Sequence, residues 1–232
     1  MTLLTLALVL FVGSHFVLSH PLRAPLVRIV GEGGFVIVYS LVAFGTLGWA
    51  VAEWRRAPVQ LLWVAPDWLW WLAALLMLIA SVLFIGSMTA SNPALMGGRR
   101  DGVAGPGGVQ RITRHPMMWA FAIWAAVHAT LSGDLRTVIL AAAMALLALA
   151  GAALQEGKKR AQLGEAWLAH ERASSFVPFG LQLAGRAPWK TALPGWTALI
   201  GGVLLYAVST WAHPALMGAP QLGFWRMVSS LD

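Results

Sequence analysis

Six long apolar stretches constrain what this chain can fold into more than any other feature of its sequence. They cover about residues 2–19, 34–53, 68–88, 116–133, 136–154 and 195–212. A helix needs about 20 apolar residues to cross the hydrocarbon core, and it pairs its own backbone polar groups there. The stretches lack the alternation of apolar and polar residues that is typical of barrel strands. The sequence therefore predicts an all-α polytopic membrane protein with about six transmembrane helices, in a single domain over 1–232.

Charge and composition exclude several other classes of protein. Charged residues make up 11% of the chain, whereas soluble domains carry about 25%. The net charge of +7 comes from basic residues in the connections, where anionic lipid headgroups attract them, so we expect membrane lipids and no nucleic acid as partners. The chain has no cysteine, which excludes disulfides, thiolate ligands and iron–sulfur clusters.

The basic residues also predict the orientation of the chain in the membrane. Six spans place both termini on one side, and the connections then carry twelve basic residues on one side and four on the other. The twelve are Arg23, Arg28, Arg99, Arg100, Arg111, Arg114, Lys158, Lys159, Arg160, Arg172, Arg186 and Lys190, and the four are Arg55, Arg56, Arg136 and Arg226. Because cytoplasmic connections carry the excess of basic residues, both termini are expected outside. The first stretch lacks the basic start and the cleavage site of a signal peptide, so we interpret it as a retained span.

Two connections on the predicted cytoplasmic side are long. Residues 91–116 contain six glycines, and a flexible linker and a lid over a membrane site are the two interpretations. In residues 155–180, Leu163, Trp167 and Leu168 share one helical face, which predicts an amphipathic helix lying in the membrane interface.

Two histidines lie within apolar stretches, where an ionisable side chain is costly and indicates a function. They are His15 in the first stretch and His128 in the fourth. Phe121 and Trp124 precede His128 by seven and four residues, and Ala125 precedes it by three, which gives an aromatic helix face with a small residue beside the imidazole. Such a face suits haem b, a flat apolar macrocycle whose iron takes an imidazole ligand. The alternative is that each imidazole is neutral and hydrogen-bonded to a neighbouring helix.

A third histidine has a different setting, the sequence Arg114-His115-Pro116 at the predicted cytoplasmic start of the fourth span. Pro116 suits the first turn of a helix, so one interpretation is a helix start with interfacial basic residues. The other is a site for a headgroup, nucleotide or cosubstrate in which Arg114 binds an anion. The remaining histidines carry little functional weight, since two precede prolines near span ends and the last is expected to face water: His20, His213 and His170.

The residues around these histidines resemble those of the NnrU family of bacterial membrane proteins. The resemblance runs from FVGSHFVLSHPLRAPLVRIVGEGGFVIVYSLVAF, through SNPALMGGRRDGVAGPGGVQRITRHPMMWAFAIWAAVHATLSGDL, to LGEAWLAHERASSFVPF. It covers about residues 3–185 and leaves an extra C-terminal span at about 195–212. It implies a bacterial inner-membrane protein with periplasmic termini, linked to the nitrogen-oxide metabolism of denitrifiers, with a small gaseous ligand.

The family includes the 15-cis-ζ-carotene isomerase of plants and cyanobacteria, a membrane enzyme that carries haem b. The resemblance implies that His15 and His128 are the haem ligands here, and that isomerisation of a polyene is a second use of the iron. The isomerase has a cysteine three residues before its second ligand, where this chain has Ala125. A ligand exchange between histidine and cysteine is therefore excluded, which favours the nitrogen-oxide role.

The depth of the two histidines leaves the second ligand open. In the predicted topology, His15 lies nearer the cytoplasmic side and His128 nearer the outer side, a difference of roughly 10 Å at 1.5 Å per residue. Because His115 also lies nearer the cytoplasmic side, the pair of His15 and His115 is the competing arrangement.

A more distant resemblance gives a second function. The sequence RHPMMW at a span start, Glu156, and then GEAW and FVPF are similar to the layout of the isoprenylcysteine and phospholipid methyltransferases and of membrane sterol reductases. This resemblance implies contacts with S-adenosylmethionine at His115, Glu156 and Arg172. The chain departs from it at Gln155, where the superfamily has the first of two glutamates, and it lacks the C-terminal tyrosines. A third, non-enzymatic interpretation is an assembly factor for a respiratory reductase.

Overall fold

The computed structural model describes residues 1–89, 92–93 and 105–218. No β-strand is present among these residues, which confirms the all-α prediction. The helices are α1 (Thr2–Ser19), α2 (Arg23–Arg56), α3 (Asp67–Thr89), α4 (Pro116–Ser132), α5 (Leu135–Leu163), α6 (Glu165–Arg172), α7 (Gly180–Leu183) and α8 (Trp196–Met217), with short 3₁₀ helices at Gly108–Arg111 and Trp189–Ala192. The segment for which a linker or a lid is predicted, 91–116, lies largely outside the described residues.

Five helices are long and apolar enough to cross a membrane, namely α1, α2, α3, α5 and α8. The chain is therefore a polytopic membrane protein. Helix α4 has 17 residues, a length of about 26 Å that lies at the lower limit for a spanning helix. Helix α5 has 29 residues, about 44 Å, so it extends well beyond a hydrocarbon core about 30 Å thick.

Hydrogen bonds between two connections indicate that α4 crosses the membrane as well. The connection after α2 pairs with the turn after α4, because Leu62 N donates to Gly133 O (2.7 Å) and Leu135 N donates to Gln60 O (2.9 Å). The two connections therefore lie on the same side. Since α3 crosses once after the first connection, the chain must cross back before Gly133, and α4 is the helix available in the described part of the chain. This pairing agrees with six predicted crossings.

The chain divides into two compact units. The first consists of Met1–Ala65 and His128–Leu147, and the second consists of Pro66–Val127 and Ala148–Asp232. Their boundaries fall within α4 and α5, so each of these two helices contributes residues to both units.

The first unit packs α1 against α2 and the start of α5. Its buried core consists of small and aliphatic side chains: Leu4, Ala7, Leu8, Ala50 and Ala57. A polar group closes one end of this unit, where the Arg136 guanidinium donates to Asp134 Oδ2 (2.7 Å) and to the carbonyls of Trp54 (3.2 Å) and Ala57 (3.1 Å). The same guanidinium lies 4.8 Å from the centroid of the Trp54 ring, so it is held by charge, hydrogen bonds and an aromatic face together.

The second unit is built on close packing of α3 against α8. Its core also consists of small and aliphatic side chains: Ala80, Val82, Leu83, Val109, Ile112, Ala120, Ala192 and Ala198. Gly202 of α8 lies so close to α3 that a Cβ atom there would stand 2.5 Å from the Cα atom of Val82. Glycine at this position allows the two backbones to approach, as small residues do at helix interfaces in membranes.

Candidate functional site

His15 is held by its own helix in the first unit. Its Nδ1 lies 2.6 Å from the carbonyl oxygen of Phe11, four residues earlier. A carbonyl can only accept, so Nδ1 carries the proton and the lone pair is on Nε2. The half-buried ring also contacts two aromatic edges, with centroids 4.5 Å from Phe11 and 5.3 Å from Tyr39. These contacts fix both the tautomer and the plane of the imidazole.

His128 belongs to the same unit as His15 and is half-buried on α4. The three residues predicted to flank a macrocycle, Phe121, Trp124 and Ala125, precede it on α4 and belong to the second unit. Ala125 is buried, and Phe121 packs edge-on against Phe84 of α3 with centroids 5.8 Å apart. Phe121, one of the two aromatic side chains predicted to flank the macrocycle, therefore packs against a neighbouring helix.

The other predicted residues meet in a polar cluster of the second unit, around Glu156 of α5. The Arg114 guanidinium holds the carboxylate through two hydrogen bonds, one from Nε to Oε1 and one from Nη2 to Oε2 (3.1 Å). His115 Nε2 lies 3.0 Å from Oε1 of the same carboxylate. The side chains of Arg114, His115 and Glu156 are 11%, 1% and 13% exposed, so the pairing is largely shielded from solvent. Such a bidentate, shielded pair is geometrically specific.

The local sequence places Arg114 and His115 by pairing their segment with the chain that follows α6. Thr113 Oγ1 and Trp119 Nε1 both donate to the Phe176 carbonyl, at 2.6 Å and 2.8 Å. The Arg114 backbone N–H donates to the Ser175 carbonyl (2.8 Å), and its Nη1 donates to the Ser174 carbonyl (3.2 Å). The RITRHP and SSFVPF segments are therefore joined by hydrogen bonds. This pairing could not be predicted from the sequence, because the two segments are far apart in the chain.

Helix α6 adds a histidine that the sequence analysis placed wrongly. His170 was expected to face water, but it is 2% exposed and stacks on Trp167 with ring centroids 5.4 Å apart. Trp167 is itself fully buried and donates from Nε1 to Glu171 Oε1 (2.8 Å). The amphipathic segment predicted within 155–180 is divided between two helices, because Leu163 ends α5 whereas Trp167 and Leu168 lie on α6. The prediction that these three residues share one helical face at the membrane interface is therefore wrong, and Trp167 is buried in the protein. The signal available in the sequence was the spacing of three and four residues from Trp167 to His170 and Glu171.

Burial keeps both imidazoles of the cluster neutral at neutral pH. Burial, together with the nearby Arg114 cation, lowers the pKa of His170 to about 4. Burial also lowers the pKa of His115, although the hydrogen bond to Glu156 opposes this shift. Nδ1 of His115 and both ring nitrogens of His170 are buried, with no hydrogen-bond partner among residues 1–89, 92–93 and 105–218. The cluster thus combines the Arg114–Glu156 ion pair with two neutral imidazoles, and at its edge Arg160 pairs with both Glu156 (3.8 Å) and Glu171 (3.0 Å).

Two predicted features are not brought together at this cluster. Arg172 is 71% exposed, and its guanidinium pairs with Glu165 (3.3 Å), an equally exposed carboxylate, so it lies outside the set formed with Glu156. In the described part of the chain, no group of three or more His, Cys, Asp or Glu side chains is placed to hold a metal ion. A haem group needs fewer protein ligands than such a metal site, since one or two side chains bind its iron.

The family model described as NnrU protein matches residues 3–221. The chain belongs to the NnrU family. The match includes α8, the span that the sequence analysis left outside the region of resemblance to NnrU proteins. No curated protein and no solved structure matches the chain significantly.

Proposed function

We propose that this NnrU protein binds haem b within the membrane, with His15 and His128 as the axial ligands. The observation that carries the proposal is the hydrogen bond from His15 Nδ1 to the Phe11 carbonyl, 2.6 Å long. Histidines that bind metals typically donate their other ring N–H to a carbonyl or carboxylate, which leaves the second nitrogen directed at the metal. His15 has this arrangement, and His128 lies in the same compact unit.

The residues present fit the group. Phe11 fixes the tautomer of His15, and the edge contact with Tyr39 fixes the ring plane, so little entropy is lost on ligation. The apolar helix α4 that carries His128 supplies a water-poor environment on its side of the group. Haem, when bound, supplies an iron for electron transfer or for binding of a small molecule.

His128 is a better second ligand than His115. Nε2 of His115 is engaged with Glu156 at 3.0 Å, and its side chain is 1% exposed. Freeing that imidazole would leave the Glu156 carboxylate with one donor fewer in a shielded site, at a cost of about 1–3 kcal/mol. Arg114 also pairs with the Glu156 carboxylate, so we assign it to this polar cluster and not to haem binding.

Of the two uses of the iron, we favour nitrogen-oxide chemistry over isomerisation of a polyene. The resemblance given in the sequence analysis implies the link to nitrogen-oxide metabolism, and Ala125 supplies no second ligand for the exchange between histidine and cysteine. A gaseous ligand such as nitric oxide needs one axial position to open. His15 would remain the permanent ligand, since its imidazole is held by the hydrogen bond to Phe11, and the haem iron would supply the binding position for the gas.

The test is the absorption spectrum of purified His15→Ala, His128→Ala and His115→Ala variants, produced with adequate haem supply. We expect the first two to lose or shift the Soret band, and the third to keep it. His20→Ala is the matched control, because His20 is an exposed histidine at the end of the same helix as His15. A normal Soret band in both the His15 and His128 variants would overturn the proposed ligands.

One observation favours a second candidate, an S-adenosylmethionine-dependent methyltransferase. His115 and Glu156, two of the three residues that the resemblance implies as cofactor contacts, meet in one cluster together with Arg114, whereas Arg172 lies outside it. Two buried imidazoles with unpaired nitrogens lie in the same cluster. Calorimetry of the protein in nanodiscs tests this candidate, which requires saturable binding of S-adenosylmethionine that Glu156→Gln abolishes. Absence of binding heat at millimolar cofactor removes it.

A further inference from the structure

The second unit contains a cavity that neither the haem proposal nor the Glu156 cluster uses. Its volume is about 550 Å³, within the range of about 300–1,000 Å³ that is typical of ligand sites. The residues that matter for its chemistry are Arg111, Gln182 and Thr191. They come from the two 3₁₀ helices and from α7.

Gln182 lines this cavity and has an unsatisfied acceptor. Its side chain is 4% exposed, and its Nε2 donates to the Arg111 carbonyl (3.3 Å) and to Thr191 Oγ1 (3.4 Å). These two bonds orient the amide and leave Oε1 buried, with no hydrogen-bond partner in the described part of the chain. A buried acceptor without a donor costs about 1–3 kcal/mol, so a ligand with an O–H or N–H group is favoured there.

Among the described residues that line the cavity, Arg111 is the one charged side chain. Arg111 donates from Nε to the Pro106 carbonyl (2.9 Å), which anchors an exposed guanidinium at the cavity. The segments 105–113 and 173–200 that surround the cavity contain three basic residues, the others being Arg186 and Lys190, and no acidic one. Both of these side chains are exposed. The surroundings therefore attract an anion.

The cavity is lined by residues that lie close in the chain to the starts of two helices. Arg111 comes five residues before α4, and Thr191 comes five residues before α8, so the cavity lies at the ends of two spans. Trp189 and Trp196, beside it in the chain, are 59% and 77% exposed. Exposed tryptophans beside basic residues at span ends are typical of the lipid headgroup region.

We infer that this cavity binds the headgroup of an anionic, hydroxylated glycerophospholipid such as phosphatidylglycerol. The phosphate pairs with the Arg111 guanidinium, and a headgroup hydroxyl donates to Gln182 Oε1. A lipid phosphodiester has no proton to donate at neutral pH, so the Gln182 acceptor requires the hydroxyl as a separate group. Choline has no O–H or N–H donor, and ethanolamine makes the headgroup neutral overall, so both fit these surroundings less well.

Native mass spectrometry of the full chain tests this site by titration with phosphatidylglycerol and with phosphatidylcholine of the same acyl chains. We expect preferential binding of phosphatidylglycerol and a weakening of about fivefold in Arg111→Gln, which corresponds to about 1 kcal/mol for one basic residue. Gln182→Met, which keeps the size but removes the acceptor, should lower the preference for phosphatidylglycerol over phosphatidylcholine.

Arg172→Gln is the matched control, because Arg172 is an exposed arginine outside the cavity lining. It should leave binding unchanged. Equal binding of the two lipids, or equal binding by wild type and Arg111→Gln, would contradict the inference. Displacement of the lipid by free glycerol 3-phosphate at an equal concentration would also contradict it, since this would assign the cavity to a soluble phosphate ester. Arg111 is exposed, so its replacement leaves the fold intact.

Discussion

Glu156 connects the two helices that frame the polar cluster of the second unit. It lies on α5 and accepts hydrogen bonds from Arg114 and His115, which precede α4. Both donors are largely buried, so removal of the negative charge leaves a shielded guanidinium without its counterion. The cluster is therefore structurally important whether or not it binds a cosubstrate.

Glu156→Gln should accordingly destabilise the protein by about 3–5 kcal/mol, the cost of breaking a buried ion pair by removing one partner. The measurement is chemical denaturation in detergent. Glu165→Gln is the matched control, because Glu165 pairs with Arg172 at an exposed site; it should change the stability by less than about 1 kcal/mol. Equal effects of the two substitutions would show that the cluster is not shielded as described.

The buried His170 predicts how stability depends on pH. Its pKa is lowered to about 4 in the folded protein from an ordinary value of 6.5. The unfolded chain therefore binds this proton more readily, and the folded state loses stability as the pH falls from about 6.5 to about 4, by up to about 1.4 kcal/mol per pH unit. His170→Phe removes the titrating group and should flatten this dependence between about pH 7 and about pH 5. An unchanged slope relative to wild type would contradict the burial of His170.

At the residue scale, local contacts were predictable and tertiary ones were not. The bond from His15 to the Phe11 carbonyl spans four residues of one helix, so it follows from helix geometry. The burial of His170 depends on how α6 packs within its unit, and the sequence pattern of α6 also suits a helix on the membrane surface. Trp167 illustrates the same ambiguity, since an apolar face fits lipid and protein equally well.

At the element scale, the packing of α3 on α8 depends on one close approach. Gly202→Ala places a Cβ atom 2.5 Å from the Cα atom of Val82, a backbone atom that cannot move without shifting the helix. We expect a destabilisation of about 1–3 kcal/mol from this overpacking, measured as a lower melting temperature in detergent. Gly45→Ala on α2 is the matched control, because nothing lies within 4 Å of a Cβ atom there. A melting temperature for Gly202→Ala equal to that of the control would refute the close approach.

A comparison of the predicted and observed helix ends shows which of these ends the sequence indicates. The fourth span was predicted over 116–133 and is Pro116–Ser132, because Pro116 marks the helix start. The second span was predicted from residue 34, and α2 has a non-helical kink at Gly31 (φ 72°, ψ 171°), a conformation that glycine adopts readily. The fifth span was predicted to end at 154, but α5 continues to Leu163. Its charged last turns lie outside the hydrophobic pattern, and pairs such as Arg160 with Glu171 (3.0 Å) support them.

At the scale of the whole molecule, the topology follows from six crossings and the distribution of basic residues. We propose that both termini lie in the periplasm and that the Glu156 cluster faces the cytoplasm. Because the chain has no cysteine, single-cysteine variants carry no background. In spheroplasts, Val64→Cys, in the exposed connection after α2, should react with a membrane-impermeant maleimide. Ala184→Cys, exposed after α7, should react only after permeabilisation. The reverse pattern would contradict the orientation.

The side of each connection stays a prediction from charge. The polytopic, all-helical character of the chain was accessible from hydropathy, because it reflects single segments. The relation between connections was not, since the pairing of Leu62 with Gly133 joins residues far apart in the chain. The same limit applies to the two proposed haem ligands. Depth along each helix was predictable for His15 and His128, whereas their membership of one compact unit required the structure.

The central claim is that the chain carries haem b in the membrane. The most direct measurement is the absorption spectrum of the wild-type protein, purified after expression with added haem precursor, in the oxidised and the reduced state. The account predicts a Soret band, a shift and sharpening of the visible bands on reduction, and about one haem b per chain by extraction. Protein that is folded and monodisperse but shows no Soret band in either state would contradict the account.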